Sequence, residues 1–150
     1  MRAIVERVRG ARVEAGGRPV ASIERGLLVF VAVERGDGRA QAEYMAEKLA
    51  HLRVFQDGQG KLNDSVLQAQ GQVLLISNFT VVGDASRGRR PSFDRAAPAQ
   101  EALVVFEALR SALEARGVPV AVGSFGDHME VFSVCDGPVT LVVETPRLDS

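Results

Sequence analysis

Seven consecutive apolar residues, Leu27-Leu28-Val29-Phe30-Val31-Ala32-Val33, constrain this chain more than any other stretch. A strand with one wet face alternates apolar and polar side chains; a run without alternation must be covered on both faces. It is the longest uninterrupted apolar run, and it falls far short of the ~20 residues that span a bilayer. The cover must therefore come from the rest of the protein. Gly36-Asp37-Gly38 breaks the run.

The other segments supply that cover. Arg2 to Val8 alternates as a strand with one wet face, and 10–15 with 19–23 reads as a hairpin around Gly16-Gly17. From Arg39 to about Val54 the period becomes helical, with Ala42, Met45, Leu49 and Leu52 on one stripe. Asp57-Gly58-Gln59-Gly60 is a turn, and 61–65 leads to a strand over 72–79. Pro98 suits the first turn of a second helix, which runs to about Arg116, buries Ala102, Phe106, Leu109 and Leu113, and stops at Gly117. Strands are predicted over 118–122, 129–135 and 139–144, the last two flanking a tight turn at Asp136-Gly137-Pro138. Strands outnumber the two helices and do not alternate strictly with them. The expectation is an α/β fold, one domain over 1–150, with mixed sheets and both helices on one face. No G-x-G-x-x-G or P-loop pattern occurs, so neither a doubly wound nucleotide fold nor a bound dinucleotide is supported.

Composition bounds the function. The chain has 150 residues, a formal net charge of −1 and one cysteine, Cys135. A nearly neutral chain does not coat nucleic acid through its overall field, so any grip on RNA must be local. The dense positive cluster is Arg87, Arg89 and Arg90, which on charge alone reads as a solvated loop. A lone cysteine makes no internal disulfide, and no zinc-like spacing is present. The charged N-terminal pattern is unlike a secretory signal, and the expected location is the cytoplasm, with no membrane contact.

Two stretches could carry chemistry. Ser77-Asn78-Phe79-Thr80 ends the apolar run Val73–Ile76 and opens into the arginine-rich loop, placing two hydroxyls, a carboxamide and an aromatic ring at a strand's mouth. A hydroxyl nucleophile needs a base. His51, within the first helix, reads as a structural histidine, and His128 could face either way. No G-x-S-x-G elbow is present, and turn chemistry explains Asp84, Asp94, Asp127 and Asp136. The second stretch is Asp136-Gly137-Pro138-Val139-Thr140, where an X-Pro bond can be cis at ~0.5–1 kcal/mol against trans. Arg7, in an apolar strand, is either an exposed sheet position or a fork of donors holding carbonyl groups.

Together these stretches resemble the D-aminoacyl-tRNA deacylase family from end to end. The family's Ser-Gln-Phe-Thr strand end reads here Ser77-Asn78-Phe79-Thr80, and its Asn-x-Gly-Pro-x-Thr stretch reads Cys135-Asp136-Gly137-Pro138-Val139-Thr140. Arg7, Gly60-Lys61 with Asn63, Arg90-Pro91-Ser92-Phe93, and Gly123-Ser124-Phe125-Gly126 with Met129 match in order. Asn78 for glutamine shortens the carboxamide by a methylene, and Cys135 for asparagine removes two hydrogen-bonding groups.

The resemblance implies hydrolysis of the ester between a D-amino acid, or glycine, and the terminal adenosine of tRNA. It implies a cytoplasmic homodimer that needs no cofactor or metal. One subunit's Gly137-Pro138 corner, cis, would enter its partner's pocket and hold the ligand's amino group and Cα through main-chain oxygens. Arg7 would brace that corner, the Phe79 N–H would meet the developing oxyanion beside Thr80, and Phe125 and Met129 would line the adenosine side. The 2′-hydroxyl of the substrate would be the activating group. The Arg87, Arg89 and Arg90 loop is expected to contact tRNA. Two other readings stay open: an editing module that removes a wrong L-amino acid, and a tRNA-binding protein without activity.

Overall fold

A computed structural model describes residues 1–147. Its main sheet is built from β1 (Arg2–Ala15), β2 (Arg18–Ile23), β3 (Gly26–Ala32), β6 (Gln72–Ser77), β7 (Val120–Val122) and β8 (Glu130–Glu144). Two short strands, β4 (Phe55–Gln56) and β5 (Leu62–Asp64), form a small hairpin around the predicted 57–60 turn. Helices α1 (Arg39–His51) and α2 (Ala99–Ala115) complete the fold.

The uninterrupted apolar run is β3, and it is central. It pairs antiparallel with β1 on one side and parallel with β6 on the other. Leu27, Val29 and Val31 pack into one cluster with Met45 and Leu49 of α1 and Phe106, Leu109 and Leu113 of α2. Leu28 points into a second cluster with Val8, Val13, Ile23, Leu74 and Ile76, and Phe30 packs against it. Both faces are covered, as the lack of alternation requires.

The covers have different origins. Strands β3, β6 and β7 are parallel neighbours, joined first through α1 and then through α2. Crossovers of one hand that step the same way across a sheet lay both helices on one side. Arg116 ties the helices together, its guanidinium 3.0 Å from both Glu43 and Glu47. The other face is covered by the second half of β1, which folds over with β2 and the first half of β8.

At Gly26 the β3 backbone runs so close to β6 that a Cβ would stand 1.8 Å from the Gln72 carbonyl oxygen, so only glycine fits.

The elements differ from the sequence reading at several ends. The segments 2–8 and 10–15 are one strand, because β1 bridges Gly10 with irregular pairing to β8 instead of turning. The segments 129–135 and 139–144 are likewise one strand. The 136–138 stretch is therefore not a hairpin turn. It is a bulge, in which Asp136–Val139 lie opposite the single residue Arg7, between the pairs Glu6↔Thr140 and Val8↔Cys135. Strand β6 ends at Ser77 and gives way to a 3₁₀ turn at Phe79–Val82. Helix α1 stops at His51, Pro98 caps α2 from outside its first turn, and β7 begins at Val120.

Candidate active site at the end of strand β6

The end of β6 opens into a cavity of about 740 Å³. It is lined by Ser77, Asn78, Phe79 and Thr80 on one side and by Phe125 and Met129 on another. Phe30, Phe93, His128 and a run of alanines, Ala96, Ala97, Ala99 and Ala102, complete the wall. Six of the expected site residues thus share one space, apolar in the main and edged with a few polar groups.

Local hydrogen bonding shapes the polar edge. The Asn78 N–H donates to the Val31 carbonyl (2.8 Å), which fastens the chain to β3 where β6 ends. The Asn78 side chain then caps the 3₁₀ turn, its Oδ1 accepting from the Thr80 N–H (3.1 Å) and from the Thr80 hydroxyl. The Val81 and Gly83 N–H groups close the turn onto the Asn78 and Thr80 carbonyls. Among the described residues the Phe79 N–H donates to nothing, which leaves a backbone donor at the cavity's edge. Phe79 is 57% exposed as a residue, and its ring meets Phe93 edge to face at 5.3 Å between centroids. Gly123 makes room for Met129, since a Cβ there would stand 2.8 Å from its sulfur.

The remaining expected residues lie elsewhere. Gly137 and Pro138, joined by a cis peptide bond, are exposed on β8 and do not line the cavity of their own chain. Arg7 is buried beneath them. Its Nε donates to the Asp136 carbonyl (3.1 Å) and its Nη1 to the Val54 carbonyl (2.8 Å), the fork-of-donors alternative rather than the exposed one. Arg87, Arg89 and Arg90 are exposed in the loop that the Asp84–Ser92 bridge closes, outside the cavity. The Ser86 hydroxyl and N–H hold the Asp84 carboxyl below the usual carboxylate range at the loop's base.

The histidines separate cleanly. His51 is a half-exposed surface residue near Glu47 (3.8 Å), not a buried structural one, because it lies off the stripe of Met45, Leu49 and Ala50 that α1 buries. His128 lines the cavity. Sequence reading did not assign Phe30, Phe93 or the alanines to the site. Phe30 carried a faint signal as the one aromatic in β3; its register partner is Ile76, one residue before Ser77. The alanines carried none.

The sequence profile of the D-Tyr-tRNA(Tyr) deacylase family matches residues 4–144. The chain belongs to the D-aminoacyl-tRNA deacylase family. A D-aminoacyl-tRNA deacylase of Heliobacterium modesticaldum is 51% identical over 96% of this chain and 96% of its own. That of Geotalea uraniireducens is 46% identical over 98% of this chain and 95% of its own. Among solved structures, the c-Myc DNA Unwinding Element Binding Protein superposes with a TM-score of 0.93 at 34% identity, covering 98% of this chain and 100% of that one. A probable eukaryotic D-amino acid tRNA deacylase shares the fold at 15% identity, with a TM-score of 0.81 over 95% and 97% of the two chains.

Within the deacylase family the two departures occupy different settings. Asn78 caps the turn through its side-chain oxygen. Cys135 is exposed on β8 with its Sγ 3.7 Å from a Glu6 carboxylate oxygen, beside the bulge rather than in the cavity. No group of three or more candidate metal ligands occurs among the described residues. No helix among them is long and apolar enough to cross a membrane.

Proposed function

We propose that this member of the deacylase family hydrolyses the ester of D-aminoacyl-tRNA, and of tRNA mischarged with glycine, releasing the amino acid and free tRNA. The observation that carries this reading is the gathering of Ser77–Thr80, Phe125 and Met129 around one cavity whose edge holds an unpaired backbone donor at Phe79. Water adds to the ester carbonyl, the bond to the ribose oxygen breaks, and the ribose regains its hydroxyl as the carboxylate leaves. The Phe79 N–H meets the oxyanion formed on the way; a preorganised donor of this kind is worth ~2.7–4 kcal/mol in comparable sites. The substrate's 2′-hydroxyl activates the reaction, and Thr80 is not a nucleophile.

Stereochemical choice comes from main-chain oxygens at Gly137-Pro138, which leave room for a hydrogen on an L-side and collide with a side chain there. Glycine passes the same filter. The corner is exposed and away from its own chain's cavity, which supports its entry into the cavity of a second copy. A homodimer through β8 fits the strand's position. Among the described residues it pairs with β1 alone and leaves Phe132, Val134, Leu141 and Val142 exposed. An open apolar edge strand invites pairing. The exposed Arg87, Arg89 and Arg90 contact tRNA phosphates.

Parallel time courses on D-tyrosyl-, L-tyrosyl-, glycyl- and L-seryl-tRNA test the reading, with sedimentation to fix the subunit number. Rapid turnover of the D-tyrosyl and glycyl substrates alone is expected. Turnover of L-seryl-tRNA would favour L-editing, and tRNA binding with no turnover would make the protein a non-catalytic binder.

A further inference from the structure

The hydrogen bonds at Asn78 fix the polarity of the Thr80 hydroxyl. A backbone N–H can only donate, so the Asn78 side-chain atom facing the Thr80 N–H must be the carbonyl oxygen, not the amide nitrogen. That assignment removes the usual ambiguity of a carboxamide. The Thr80 hydroxyl faces the same oxygen. An oxygen of that kind offers no hydrogen, so the hydroxyl must direct its own proton onto it. Thr80 Oγ then meets anything in the cavity with lone pairs only.

We infer that Asn78 is a positioning residue that locks the Thr80 hydroxyl as a hydrogen-bond acceptor for an N–H or O–H group at the aminoacyl end of the substrate. The inference rests on the deacylase reading of this cavity. It assigns to the shorter Asn78 a task that its length suits, since its oxygen reaches two residues ahead into the turn it caps. Thr80 accordingly gives no hydrogen bond to the oxyanion, which falls to the Phe79 N–H. Nor does the carboxamide accept the Thr80 proton outright, because an amide oxygen is not a base at neutral pH; the threonine stays a hydroxyl.

A double-mutant cycle tests this, read by single-turnover deacylation of D-tyrosyl-tRNA and by binding of hydrolysis-resistant 3′-amide analogues of D-tyrosyl-adenosine. Asn78→Ala and Thr80→Val should each lower the rate by about tenfold, the scale of one hydrogen bond. The double variant should be no slower than the slower single one, since both remove one interaction. Asn78→Asp keeps the accepting oxygen and should stay within about threefold of the parent; it carries the test if Asn78→Ala melts below the assay temperature. The binding arm reads polarity. Thr80→Val should weaken the parent analogue, and the penalty should vanish for either the deamino analogue, whose α-amino group is replaced by hydrogen, or the 2′-deoxy analogue, which names the donor. Multiplying single effects, an Asn78→Asp rate as low as Thr80→Val, or a penalty that survives in both modified analogues would overturn the inference. Failure of the parent protein to bind any analogue would instead overturn the deacylase reading.

Discussion

Gly83 lies so close to Phe93 that a Cβ on it would stand 2.8 Å from the ring, and 2.9 Å from the Thr80 carbonyl. Gly83 has an ordinary extended backbone (φ −61°), so space and not conformation demands the glycine. Phe93 in turn meets the Phe79 ring edge to face. Gly83→Ala must push either the ring or the 3₁₀ turn that carries Phe79 and Thr80. Overpacking of this sort costs about 1–3 kcal/mol. Melting should report that loss, and kcat on D-tyrosyl-tRNA should fall further than the melting shift explains. An unchanged kcat would mean that the ring alone yields.

Arg7 serves two carbonyls on different segments, Asp136 in the bulge and Val54 after α1. Hydrogen bonds to a charged group contribute about 1.5–3 kcal/mol. Arg7→Ala should lower the urea midpoint accordingly and leave two carbonyls without their donor. Arg7→Lys should recover little, since a single ammonium lacks the planar fork needed to span both. Full recovery by lysine would show that charge, not geometry, is what the position supplies.

Glu34 accepts from Arg95 and pairs with the Met1 ammonium at 3.2 Å. Burial raises its carboxyl, but those hydrogen bonds and charges outweigh it and hold the group below its ordinary value of 4.5. A depressed folded value means that the stabilisation is present above the unfolded value and disappears as pH falls through the folded one. Wild-type unfolding midpoints should therefore drop below about pH 4.5, the unfolded carboxyl's range, and Glu34→Gln should flatten that part of the profile while lowering stability at neutral pH. Parallel slopes for the two proteins across the acid range would contradict the assignment.

If the exposed arginine loop meets tRNA, its contribution is electrostatic. Replacing Arg87, Arg89 and Arg90 together by alanine should weaken tRNA binding and reduce the slope of log affinity against log salt, by roughly 0.7–0.9 for each phosphate that is no longer neutralised. The three lie outside the packed core, so the melting temperature should not move. An unaltered slope would place the tRNA interface on another surface.

How far the sequence could be read depended on whether local pattern or long-range pairing decides the outcome. The two-sided burial of β3 follows from Leu27–Val33 themselves, and both helices follow from stripes at Met45, Leu49, Leu109 and Leu113. Ser77, Asn78 and Thr80 alone read equally well as a strand end passing into a surface loop; they stand out only through the resemblance, once the Gly137-Pro138 stretch is set beside them. The continuity of β8 could not be seen in this way. Gly137-Pro138 carries every local sign of a hairpin, and only the unbroken partner strand β1 makes it a bulge. The alanine wall of the cavity was invisible for the opposite reason. Small residues leave no pattern; they matter through what they fail to fill.

The ladder between β1 and β8 runs from Arg2↔Glu144 to Glu14↔Glu130, on both sides of the bulge. It works as a ruler: the height at which the proline corner projects is counted out in backbone pairs, with Arg7 holding the bulge from beneath. One inserted or deleted residue on either flank would exchange inward and outward positions along that flank. A changed side chain leaves the count untouched. Cys135, next to the corner, leaves that measure unchanged, because the measuring is done by the main chain.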